Sequence, residues 1–116
     1  MHIPDKEVAR LVALSEAELL REIGSSTIEA DSRGFGPLKS DPIGIGHRWF
    51  ERRRDKILAV ICKAENKQKI LDMLGRKDEA AAALAIADLI TAFCGVIPPV
   101  VVACLVIRVA LVRSCP

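Results

Sequence analysis

A chain of 116 residues sits near the common size of one domain, and we expect residues 1–116 to form a single helical domain. Its 51% hydrophobic and 28% charged content is that of a globular protein and excludes a disordered one. A net charge of +2 is too small to mark a nucleic-acid binder by itself. Aromatic residues are scarce, with one Trp, three Phe and no Tyr, so the core must be aliphatic. Apolar residues recur at intervals of three and four rather than two, which is an all-α signature.

The N-terminus carries Asp5, Glu7, Glu16 and Glu18 and has no uninterrupted apolar run, so it does not read as a signal peptide. On that reading the protein is cytoplasmic, and Cys62, Cys94, Cys104 and Cys115 are expected to be reduced. No CxxC and no Cys–His pair at ligand spacing occurs, which argues against a metal.

Residues 5–23 form the first amphipathic region, with Val8, Leu11, Val12, Leu19, Leu20 and Ile23 on one stripe. Ser15 followed by Glu18 is a capping-box pattern. The region is therefore one helix or two short ones broken at Leu14-Ser15. Gly24 then reads as a helix terminator. From 24 to 46 the glycines, prolines, serines and aspartates predict a long loop, with Phe35 pinning it to the protein. Gly34-Phe35-Gly36 and Gly44-Ile45-Gly46 invite comparison with phosphate-binding loops. Neither follows a strand, and no GxxxxGK[ST] can be drawn.

Residues 47–64 make the second clear helix, with Phe50, Ile57, Leu58 and Ile61 on one face. Arg48, Arg52, Arg53, Arg54 and Lys56 outnumber Glu51 and Asp55 on its polar side. Such a patch meets phosphates, anionic lipid or an acidic protein partner. Trp49, the lone tryptophan, stands beside it, and aromatic plus arginine is the usual composition of an interface hot spot. His47 opens this helix. Cys62 lies about 20 Å further along the helix by its rise, so the two cannot form a catalytic pair. A shorter helix follows over 65–77, with Asn66 as its expected N-cap and Gly75 as its terminator.

The apolar C-terminal third predicts two helices, 78–94 and 98–113, joined at Gly95-Val96-Ile97-Pro98-Pro99. Two prolines cannot lie inside one continuous helix. The short connection makes the helices antiparallel neighbours. Both are apolar nearly all round and must be buried in protein or lipid. Asp88 and Arg108 interrupt them at similar heights above the turn, the expected positions of a structural ion pair. The uncharged run from Leu89 to Ile107 is long enough for a membrane span, but its prolines and glycine fall near the middle.

The expected fold is thus an all-α compact bundle of about five helices around the hairpin. Titratable residues do not gather into a catalytic set along the chain, so neither an enzyme nor a cofactor is expected. The expected function is a protein–protein interaction module, an adaptor, regulator or subunit. Its surface would comprise Arg48, Trp49, Arg52, Arg53, Lys56 and Phe35. The alternative is a membrane-associated protein that inserts 78–113.

Overall fold

The computed structural model describes residues 5–31 and 41–115. Among them are six α-helices and no strand: α1 (Asp5–Val12), α2 (Glu16–Asp31), α3 (Pro42–Ile61), α4 (Ala64–Gly75), α5 (Glu79–Cys94) and α6 (Pro99–Arg108). A 3-10 turn, Leu111–Ser114, closes the chain.

Local chemistry sets most boundaries. Ser15 and Glu18 form the reciprocal capping box, with Glu18 N donating to Ser15 Oγ at 3.2 Å and Ser15 N to Glu18 Oε1 at 3.0 Å. The N-terminal region is therefore two helices. Arg10 ties them together, donating to Glu7 at 2.6 Å and to Glu22 at 2.8 Å. Asp41 caps α3 through Gly44 N, and Pro42 fills the first turn, where its missing amide costs nothing. Asp78 caps α5 through Ala81 N. Asn66 does something else: it donates to Val60 O and so closes the C-terminal end of α3, while α4 begins at Ala64.

The predicted loop over 24–46 is largely helical where it is described. Helix α2 runs through Gly24 to Asp31, and α3 starts at Pro42. Residues 32–40, Phe35 among them, lie outside the described residues. Two of the glycines in that segment, Gly24 and Gly46, are contact points between helices. A Cβ on Gly24 would stand 1.7 Å from Pro42 O, and one on Gly46 would stand 2.0 Å from Leu20 O. The two backbones approach so closely that only hydrogen fits between them.

Gly75 ends α4 only in part. The left-handed residue is Lys77, at φ 61°. Asp78 N reaches back to Met73 O at 3.0 Å and Lys77 N to Leu74 O at 3.0 Å, a Schellman closure with lysine where glycine is usual. Between α5 and α6 the turn follows expectation, with Gly95 at φ 57° and Pro99 opening α6. The chain turns through 118° there, short of fully antiparallel.

Helix α6 is buried on every side from Val100 to Val106. It packs against α1, α2 and α5. Helix α5 buries Ala82, Ala83, Ile86, Ala87, Ile90 and Cys94 but shows Leu84, Asp88, Thr91 and Ala92 to solvent. The prediction that both helices are enclosed all round holds for α6 alone. The last predicted helix also stops early. Ala110 adopts φ 53°, the chain doubles back, and Leu111 and Val112 are buried in the 3-10 turn that follows. No single helix among the described residues is long and apolar enough to cross a membrane; only the bent pair α5 and α6 together has the length and composition.

That doubling back brings Cys115 to Cys62, and the two form a disulfide across a sequence separation of 53. The expectation of four reduced thiols fails at these two positions, because their proximity depends on the path of the C-terminal turn. Cys94 and Cys104 are free and buried, and burial pushes both thiols up to about 11.

Candidate interaction surface

Helix α3 places Arg48, Arg52 and Lys56 on one exposed stripe, spaced four residues apart over about 12 Å. Glu51 and Asp55 are exposed beside them. The sequence-predicted surface divides here. Trp49 is 9% exposed and belongs to the core, not to the hot spot expected of it. Arg53 lies across it, its guanidinium carbon 4.1 Å from the ring centroid. The same group donates to Phe93 O at 3.0 Å and to Trp49 O at 3.2 Å.

Arg53 therefore fastens α3 to the C-terminal end of α5. Planar, always charged and weakly hydrated, guanidinium suits this mixture of aromatic face and carbonyl acceptors. Truncation of Arg53 to alanine should lower stability by about 1–2 kcal/mol, readable as a lower urea midpoint. Arg52→Ala, with an exposed side chain, should change that midpoint by no more than about 0.5 kcal/mol in equivalent stability.

Arg52, Arg53 and Lys56 together with Ala92 and Phe93 line a groove of about 360 Å³ between α3 and α5. No carboxylate lines it. The sequence reading missed Phe93 and Ala92, since nothing in a linear pattern tells which helix end lies beside α3. Beyond the groove the α5–α6 turn carries Val96, 68% exposed and the most exposed large apolar side chain among the described residues.

The expected Asp88–Arg108 ion pair does not form. Arg108 pairs with Glu79 and donates to Val12 O at 3.0 Å, while Asp88 faces solvent on α5. The expectation took the two helices as antiparallel, whereas the chain turns through 118° between them. His47 is exposed, its Nε2 3.8 Å from Glu51 Oε1, and no thiol accompanies it. No group of three or more His, Cys, Asp or Glu that could hold a metal occurs among the described residues.

Compared with protein-family models, with curated proteins and with solved structures, the chain matches none of them.

Proposed function

We propose that the protein is a non-enzymatic interaction module, an adaptor, regulator or small subunit, that holds an acidic partner along α3. The observation that supports this reading is the groove bordered by Arg52, Arg53 and Lys56, with Phe93 for an apolar contact and no carboxylate among its lining residues. An acidic segment carrying an aliphatic side chain matches that combination of charge and apolar surface. Arg48 extends the positive stripe beyond the groove.

The test is a display library of acidic peptides, with and without aliphatic residues, read against the protein and against Arg52→Glu/Lys56→Glu. Retention should require both acid and aliphatic residues, weaken with salt, and fall by about tenfold or more in the double variant at unchanged thermal midpoint. Equal retention by the folded double variant removes this surface from the reading.

A second reading is association with an anionic membrane surface, favoured by the exposure of Val96 at the turn between the two most apolar helices. Vesicles of phosphatidylglycerol in place of peptides separate the two. The membrane reading requires flotation with the vesicles, and the peptide reading does not. As to compartment, the Cys62–Cys115 bond favours an oxidising environment over the cytoplasmic one expected from sequence.

A further inference from the structure

A second cleft lies on another part of the molecule, where the α4–α5 turn meets the C-terminal 3-10 turn. Its volume is about 420 Å³, within the usual range of small-molecule sites. Leu74, Ile107 and Val112 supply an apolar lining, and Lys77, Arg108 and Arg113 supply cations from three separate elements. Glu79 is the one carboxylate lining it, and Arg108 already engages it. Neither Lys77 nor Arg113 has a carboxylate partner within salt-bridge distance among the described residues.

Backbone geometry marks the same place. Lys77 and Ala110 are the two non-glycine residues at positive φ among the described residues, and both line this cleft. A left-handed L-residue costs about 1 kcal/mol relative to glycine. Lysine at position 77 thus serves the backbone worse than glycine would, and what it adds is a cationic side chain to the lining of the cleft. The wall bearing Val112 and Arg113 is anchored in turn by the disulfide at Cys115.

We propose that this cleft binds a small amphiphilic anion, a carboxylate or phosphate-monoester head on a short apolar body. The head would lie between Lys77 and Arg113, with Arg108 held beside them by Glu79. The body would lie on Leu74, Ile107 and Val112. This site is separate from the α3 groove and stands or falls independently of it.

Octanoate and hexyl phosphate are the probes, with 1-octanol as the uncharged control, titrated into the oxidised protein and followed by amide chemical shifts. At least one anionic probe should saturate, with shifts centred on residues 74–79 and 107–113, and octanol should bind at least about tenfold more weakly. Lys77→Gly is the decisive variant, because its two effects run in opposite directions. It relieves the left-handed backbone, so the thermal midpoint should hold or rise, while affinity for the anion should fall by about tenfold. Arg113→Gln should weaken binding similarly. Absence of saturation by either anion overturns the proposal. So does equal binding of octanol, or undiminished affinity in Lys77→Gly.

Discussion

Replacing Gly46 with alanine should lower stability by about 3 kcal/mol, and Gly24→Ala should do at least as much. The added methyl would meet Leu20 O at 2.0 Å in the first case and Pro42 O at 1.7 Å in the second. In each case the obstacle is backbone, which cannot rotate aside as a side chain would. Helix α2 and helix α3 must separate, and the packing around Leu20, Ile23, Trp49 and Phe50 opens with them. The opposing effect is the better helix propensity of alanine, about 1 kcal/mol, which the clash outweighs. Gly75→Ala is the internal control: nothing lies within 4 Å of its Cβ position, so stability should hold or rise slightly. Urea unfolding followed by circular dichroism measures all three. If Gly24→Ala and Gly46→Ala behave like Gly75→Ala, the close approach of α2 and α3 is wrong.

Loss of the Cys62–Cys115 bond should cost about 2–4 kcal/mol, whether by reduction or by Cys115→Ser. Most of this arises in the unfolded chain, where the bond closes a loop with a sequence separation of 53. A domain of this size has only about 5–15 kcal/mol of stability in total, so the reduced form should unfold at a much lower urea concentration. The folded C-terminal turn should persist, because it is also held by the burial of Leu111 and Val112. Thiol labelling reads the arrangement directly. In the native oxidised protein no cysteine should react at neutral pH, because Cys94 and Cys104 are buried and their pKa is raised to about 11. Reduction should release two reactive thiols, and unfolding should add the other two. Four thiols reactive without reductant in the unfolded state would show that the bond is absent.

The candidate surface was legible in part. Arg48, Arg52 and Lys56 follow from helical spacing, since a charged run at intervals of four must share an exposed face. Arg53 belongs to the same run, yet it lies across the buried Trp49 and donates to a carbonyl forty residues away, that of Phe93. A sequence pattern shows which residues share a face of one helix. It does not show how far a neighbouring helix reaches around that face. The cleft at Lys77 and Arg113 was hidden for the same reason, as Lys77 comes from a segment far along the chain from Arg108 and Arg113.

What the sequence determined by itself is the all-helical class and most of the helix starts, because these rest on local physics. Ser15 with Glu18, and Asp78, each satisfy amides within three residues of themselves, whereas the start of α3 at Asp41 and Pro42 fell inside the segment expected to be a loop. Gly95 and the paired prolines likewise break the chain wherever it goes. The tertiary structure decided whatever depends on a second segment. It made Gly24 and Gly46 contacts between helices, paired Arg108 with Glu79 instead of Asp88, and joined two cysteines at opposite ends of a long loop. Each of these depends on the angle and rotation at which helices meet, set by the summed packing of the whole core.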